Sequence, residues 1–132
     1  MLLGFQLTAI LTATFIGMVL GALWYSPLLF GNQWMAAIGK TPETVGKQTL
    51  PIMASIIANL LTALGIAIIF SLAGVEGLMM GLGIGFTLGV LLVFPALLSD
   101  NMFCGWGIQL LLIQSGYRLL SILLMSITLV LF

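Results

Sequence analysis

Four long apolar stretches constrain this chain most strongly, because each has about the 20 residues that a helix needs to cross the hydrocarbon core of a bilayer. They cover residues of about 2–25, 51–72, 77–98 and 107–132. None alternates apolar and polar residues as a membrane β-strand would, and helices satisfy their own backbone hydrogen bonds in lipid. The sequence therefore predicts an all-α, multi-pass protein of the cell membrane. Its four-helix bundle forms a single transmembrane domain over residues 1–132.

Composition excludes several classes of function. Only 5% of the 132 residues are charged, whereas about a quarter are charged in a soluble domain. The formal net charge of zero gives no electrostatic basis for binding nucleic acid. The chain has no His and one Cys, Cys104, which leaves no ordinary metal site and no Cys–His nucleophile. We expect the lipid bilayer as a partner, and we expect no cofactor, no metal, no catalytic residues and no enzymatic activity.

The connection between the first two predicted helices is the only long one. Residues 28–35 are apolar but too short to span, which favours a short interfacial helix lying flat on the membrane. Pro27 marks the end of the first helix, and Thr41–Glu43 has the pattern of a helix N-cap with proline at the first position. Ser99–Asn101 is predicted to separate the third and fourth helices.

Aromatic residues lie near the first and third connections, which helix counting places on the same membrane face. They predict an aromatic belt at the headgroup level, formed chiefly by Trp24, Tyr25, Trp34 and Trp106. Lys40 and Lys47 also lie in the first connection. The positive-inside rule therefore predicts that both connections are cytoplasmic.

Glycines at four-residue spacing predict close helix packing, because small residues let neighbouring backbones approach. The set comprises Gly17, Gly21, Gly77, Gly81, Gly85 and Gly89. Two interpretations stay open. The glycines pack helices within one chain, or the groove on the third helix, a glycine zipper, drives assembly into a homo-oligomer.

An internal repeat is a further hypothesis. At an offset of 68 residues, Gly17, Gly21 and Pro27 on the first helix align with counterparts on the third. At an offset of 59, Asn59 aligns with Arg118. The bundle would then consist of two tandem two-helix repeats related by an axis along the membrane normal.

Polar residues on the second and fourth helices predict a polar interior. They recur at positions i, i+4 and i+7, which share one helical face, and comprise Ser55, Asn59 and Thr62 with Gln114, Arg118 and Ser121. Arg118 lies near mid-membrane, where an arginine costs about 2.5–3.5 kcal/mol on insertion scales. Either it points inward towards the Asn59 oxygen, with water, an anion or a lipid headgroup completing its shell, or it extends along its helix without a function.

The run Gly21–Met35 resembles the signature of the domain-of-unknown-function family numbered 1761, which comprises small multi-spanning membrane proteins of prokaryotic type. Ile113–Tyr117 and Leu119–Met125 are similar to the last helix of that family. The resemblance implies an apolar or aromatic residue at the position of Arg118, so the arginine departs from the family pattern. It implies no activity, substrate or catalytic residue.

Two functions remain open from the sequence. The first is a small oligomeric binding or permeation protein whose polar interior around Arg118 and Asn59 takes a small anionic ligand or a lipid headgroup. The alternative is a structural or accessory subunit that docks on a membrane partner through its glycine and aromatic surfaces. Stabilisation of the isolated protein by a ligand would favour the first, and co-purification with a larger complex would favour the second.

Overall fold

A computed structural model describes residues 2–132, with side chains from residue 7 onward. Residue 1 of the predicted domain, and the side chains before residue 7, lie outside this description. The helices are α1 (Leu2–Trp24), α2 (Gly31–Ala37), α3 (Thr49–Ala73), α4 (Leu78–Thr87), α5 (Phe94–Cys104) and α6 (Ile108–Leu131), with a π-helical segment, Leu88–Val93, joining α4 to α5. Among the described residues, four spans are long and apolar enough to cross a membrane: α1, α3, the α4–α5 unit and α6. The prediction of an all-α, multi-pass membrane protein is confirmed.

Helix α6 lies at the centre of the bundle. It packs against α1 on one side and against α4 and α5 on the other, while α3 packs mainly on α1. The apolar core comprises Ile10, Ala13, Ala63, Ile66, Ala67, Phe70, Ile122 and Met125. These residues come from the half of the bundle that includes the α3–α4 turn, whereas Leu110, Leu111 and Ile113 at the start of α6 are buried near the opposite face.

The first half of α3 leans away from the other helices. Every residue from Thr49 to Ile57 is exposed, and the first buried residue of the helix is Asn59. The exposed half lies at the membrane face that carries α2, because α3 begins directly after the connection from that helix. This divergence leaves space between α3 and α6 on the α2 face of the membrane.

The third span is longer than the sequence predicts. Its predicted end near residue 98 and the turn at Ser99–Asn101 are wrong, because α5 continues to Cys104. Asn101 is only 1% exposed, and its Nδ2 donates a hydrogen bond to Gln114 Oε1 at 3.0 Å. This bond satisfies the polar side chain inside the bundle, so α5 continues past Asn101. The helix is capped at Gly105, where φ is +72°.

Pro95 lies inside the third span, two residues after the end of the π-helical segment. Proline lacks a backbone N–H, and its ring crowds the carbonyl four residues earlier. The wider π-helical winding over Leu88–Val93 gives that carbonyl room and lets the helix continue. Pro27, its counterpart in the predicted repeat, instead follows the end of α1. The two prolines therefore differ in position within their helices, and the repeat itself stays a prediction.

The first connection contains the predicted short helix, but it begins at Gly31, three residues later than predicted. The predicted helix start at Thr41 is wrong. The Thr41 backbone N–H donates to Thr44 Oγ1 at 2.8 Å, so this segment closes into a turn. The chain then passes through Gly46, whose φ is +82°, before α3 begins at Thr49.

Candidate functional site

Three glycines on the third span face α6 of the same chain. A Cβ atom added at Gly81 would collide with the Val130 side chain, and one added at Gly85 would lie 2.5 Å from Ser126 Oγ. At Gly89 the added atom would lie 2.6 Å from Leu119 Cδ1. The glycine groove is therefore filled by α6 within the monomer.

Gly77 does not belong to this packing surface, so that part of the prediction is wrong. It precedes α4 as the N-cap residue with φ of +93°, and an added Cβ would meet no atom within 4 Å. A positive φ is readily available to glycine alone, which explains the residue without helix packing.

A polar junction joins α1, α3 and α6 in the middle of the bundle. The Tyr117 hydroxyl donates to the Gly17 carbonyl at 3.0 Å. Asn59 Nδ2 donates to the Ser55 carbonyl at 2.8 Å and lies 3.4 Å from the Tyr117 hydroxyl. Gly17 and Gly21 allow these approaches, since an added Cβ would collide with Asn59 at the first position and lie 3.1 Å from the Tyr117 hydroxyl at the second.

Most of the predicted aromatic belt forms contacts within the protein. Trp24 packs against Gly116, and its Nε1 donates to the Ile113 carbonyl at 2.9 Å. The Tyr25 ring lies 5.5 Å from that of Trp34 and 5.6 Å from that of Tyr117, both edge-on. Trp24 is thus bound to α6 rather than free at the membrane surface. Trp106, in contrast, is 47% exposed.

Tyr25 follows the first span directly, and burial raises the pKa of its hydroxyl to about 12. The positive charge of Arg118 opposes this rise, and the neighbouring Tyr117 adds to it. Because a raised pKa favours the protonated form, Tyr25 stays neutral at physiological pH and can donate a hydrogen bond.

Arg118 lies between α3 and α6 at the level of the polar junction. Ten residues separate it from the start of α6, and ten separate Asn59 from the start of α3, which gives each a depth of about 15 Å. The guanidinium carbon lies 5.1 Å from the centre of the Tyr117 ring, a cation–π contact. Within the described part of the chain, Arg118 forms neither an ion pair nor a hydrogen bond. The predicted hydrogen bond from Arg118 to Asn59 is therefore wrong, because the Asn59 amide is engaged by Tyr117 and its own helix.

Two cavities meet at Arg118. The larger, of about 610 Å³, extends towards the α2 face between α1, α2, α3 and α6, and its walls include Met18, Trp34, Ile52 and Ser55. The smaller, of about 220 Å³, lies next to Asn59 and its other walls are Ala58, Thr62, Val93, Ser121 and Ile122. Arg118 lines both cavities.

The structure separates the six predicted polar residues. Arg118, Asn59, Thr62 and Ser121 share the smaller cavity, and Ser55 lines the larger. Gln114 does not join them, which corrects the prediction: it accepts the hydrogen bond from Asn101 on α5. A helix places residues four apart about 40° away from each other around its axis, so Gln114 and Arg118 can face different neighbours.

Tyr117 is the residue of the site that the sequence pattern missed. Its ring and hydroxyl connect Arg118 to the polar junction, and the spacing of strongly polar residues does not include it. A tyrosine in mid-span is a usable signal, because a buried phenol needs a hydrogen-bond partner. Among the described residues, no group of three His, Cys, Asp or Glu side chains is placed to hold a metal ion.

Comparison with known families adds one finding. The family model described as "Protein of unknown function (DUF1761)" matches residues 8–130. The chain belongs to the DUF1761 family. The match covers nearly the whole chain, from α1 to α6, so the resemblance noted from the sequence is confirmed. No curated protein matches this DUF1761 chain, and no solved structure does.

Proposed function

We propose that the protein binds a small anionic ligand, or the anionic headgroup of a lipid, at Arg118 between α3 and α6. The observation that carries this proposal is a half-buried arginine that lines two cavities and has no carboxylate partner among the described residues. A cation inside the membrane is costly unless it is compensated. A bound anion would supply that compensation and accept charge-assisted hydrogen bonds from the guanidinium.

Binding accounts for the arrangement better than permeation does. Arg118 can be approached from the α2 face through the larger cavity. Towards the opposite face, the apolar core around Ala63, Phe70 and Met125 is tightly packed. An anion that reached Arg118 from the α2 face would therefore meet a barrier beyond it.

We place the α2 face in the cytoplasm, because it carries Lys40 and Lys47. We assign no enzymatic activity. The glycine spacing no longer supports homo-oligomerisation, because the groove at Gly81, Gly85 and Gly89 is filled by α6 of the same chain.

The test is a thermal-stability titration of the purified protein with sulfate, inorganic phosphate and phosphatidylglycerol. A ligand that binds only the folded state at 100 times its dissociation constant adds about 2.7 kcal/mol of stability. We expect at least one of these anions to raise the unfolding temperature of the wild type. Arg118→Met should lose that response, and Arg118→Lys should keep part of it because the charge remains without the planar fork.

Absence of any response, together with a more stable Arg118→Met variant, would show that the arginine is merely tolerated. The accessory-subunit alternative would then gain weight, and co-purification under mild detergent would be its test.

A further inference from the structure

We infer that the ligand of the Arg118 site is a monoanionic amphiphile, with a compact oxyacid head in the smaller cavity and an apolar chain in the larger one. This inference rests on the proposed function and specifies the chemistry of its ligand. It follows from the different walls of the two cavities, their sizes and the single charge where they meet.

The smaller cavity offers hydrogen-bond donors to a head group. Ser121 is only 3% exposed, and its hydroxyl has no hydrogen-bond partner within the described part of the chain. The hydroxyl borders the same cavity as the Arg118 guanidinium, which brings five N–H donors. The Ser121 hydroxyl and the guanidinium can therefore both donate to an anionic acceptor in this cavity.

The size of the smaller cavity limits what it can hold. Whole small-molecule sites usually measure about 300–1,000 Å³, and this cavity measures about 220 Å³. It can therefore accept a carboxylate or a phosphate group but only part of a larger ligand. The remainder must extend past Arg118 into the larger cavity, since Arg118 lines both.

The larger cavity suits the apolar part of such a ligand. At about 610 Å³ it lies within the usual range for small-molecule sites. Met18, Ala22, Met35 and Ile52 supply apolar walls, and the Trp34 ring borders the space at the α2 end. The uncharged polar residues of this lining are Tyr25, Gln48, Ser55 and Tyr117, so apolar walls are combined with a few polar groups. Methionine side chains adapt to irregular apolar ligands, so these walls favour an acyl chain over a polar body.

The charge balance restricts the head to one negative charge. Arg118 is the only charged residue among the described walls of either cavity, and neither Lys40 nor Lys47 lines them. One guanidinium compensates one negative charge, whereas a second would stay uncompensated within the membrane. A fatty-acid carboxylate and the phosphodiester of phosphatidylglycerol both meet this condition. They share the chemistry of a monoanionic oxyacid on an apolar chain.

Trp34 provides the readout. Bromine quenches tryptophan fluorescence at contact, so 9,10-dibromostearate and dibrominated phosphatidylglycerol are titrated into the protein in nanodiscs made of a neutral lipid. The Trp34→Phe variant isolates the quenching that comes from this tryptophan. We expect saturable quenching in the wild type. We expect about a tenfold to hundredfold weaker affinity in Arg118→Met, which loses charge-assisted hydrogen bonds.

Two controls separate binding from partitioning into lipid. The dibrominated fatty alcohol has the same chain without the charge, and it should quench Trp34 weakly and equally in both proteins. Ala22→Phe places a bulky ring in the larger cavity, and it should weaken the binding of the brominated amphiphiles more than that of acetate or inorganic phosphate, because only the amphiphiles need the space that the ring occupies. If Arg118→Met does not fold, Arg118→Lys is used with its circular dichroism compared with that of the wild type, and it should bind the brominated anions more weakly than the wild type because the planar fork is lost.

The outcomes separate this inference from the proposed function. Saturable, Arg118-dependent quenching by either brominated anion supports the amphiphile and identifies its source as a free fatty acid or a bilayer phospholipid. If acetate or phosphate stabilises the protein and an apolar chain on the anion adds no affinity, the proposed function holds and the inference of an amphiphilic ligand is overturned. Equal quenching by acid and alcohol, unchanged in Arg118→Met, overturns the amphiphile as mere partitioning. If sulfate, phosphate and phosphatidylglycerol also fail to stabilise the protein, the proposed anion site at Arg118 is overturned as well.

Discussion

Gly83 and Gly85 lie two residues apart on α4, and an added methyl group would have opposite surroundings at the two positions. At Gly83 an added Cβ meets no atom within 4 Å, so Gly83→Ala directs the methyl group towards lipid. At Gly85 the added Cβ would lie 2.5 Å from Ser126 Oγ and 3.2 Å from Ser126 Cβ. Ser126 cannot move away freely, because it is fully buried and its hydroxyl donates to the Ile122 carbonyl at 2.8 Å.

The expected magnitude follows from comparing the two variants. Both replacements gain the same helix propensity, about 1 kcal/mol in favour of alanine, so this contribution cancels in the difference. Overpacking a well-filled interior costs about 1–3 kcal/mol. Gly85→Ala should therefore unfold more easily than Gly83→Ala by about 1–3 kcal/mol, and Gly85→Leu by more.

Reversible unfolding in mixed detergent–SDS micelles, followed by circular dichroism, measures this difference. Gly83→Leu is the matched control for the larger side chain and should fold normally. Equal stability of the two alanine variants would show that α4 does not rest on α6 through Gly85. The packing described above would then be refuted.

Three further predictions concern the polar contacts and the orientation. Tyr117→Phe should lower the free energy of unfolding by about 1–3 kcal/mol, because it removes the hydroxyl that donates to the Gly17 carbonyl inside the bundle; SDS unfolding measures the loss. A double-mutant cycle with Asn101→Leu and Gln114→Leu should give a coupling of about 0.6 kcal/mol and no more than about 1.7 kcal/mol. The exposed Cys104 thiol should react with a membrane-impermeant maleimide in inverted vesicles and not in intact cells, because its face is proposed to be cytoplasmic.

Each of these predictions has a result that contradicts it. Additive effects of the two leucine replacements would mean that Asn101 and Gln114 do not interact. If Tyr117→Phe is as stable as the wild type, the polar junction does not contribute to stability. Labelling of Cys104 in intact cells would show that the orientation is the opposite of the proposed one. Cys104→Ser is the control for non-specific labelling.

The sequence alone determined how many times the chain crosses the membrane and at what depth its polar residues lie. Spans must be about 20 apolar residues long because the bilayer has a fixed thickness and lipid offers no hydrogen bonds to the backbone. The rise of 1.5 Å per residue then places Arg118 and Asn59 at a common level, and in the structure the two residues line the same cavity. Both results depend on distance along the chain, which a sequence contains in full.

Only the tertiary structure decided which side chains meet. Apolar residues cover both the inner and the lipid-facing sides of these helices, so periodicity does not reveal how each helix is rotated. Gln114 was therefore grouped with Arg118, although it bonds Asn101, and Asn59 was paired with the guanidinium although it lies against Tyr117. The lean of α3, which opens the cavities, depends on how side chains of four helices fit together in space. That fit is a property of contacts between distant parts of the chain, and no local pattern records it.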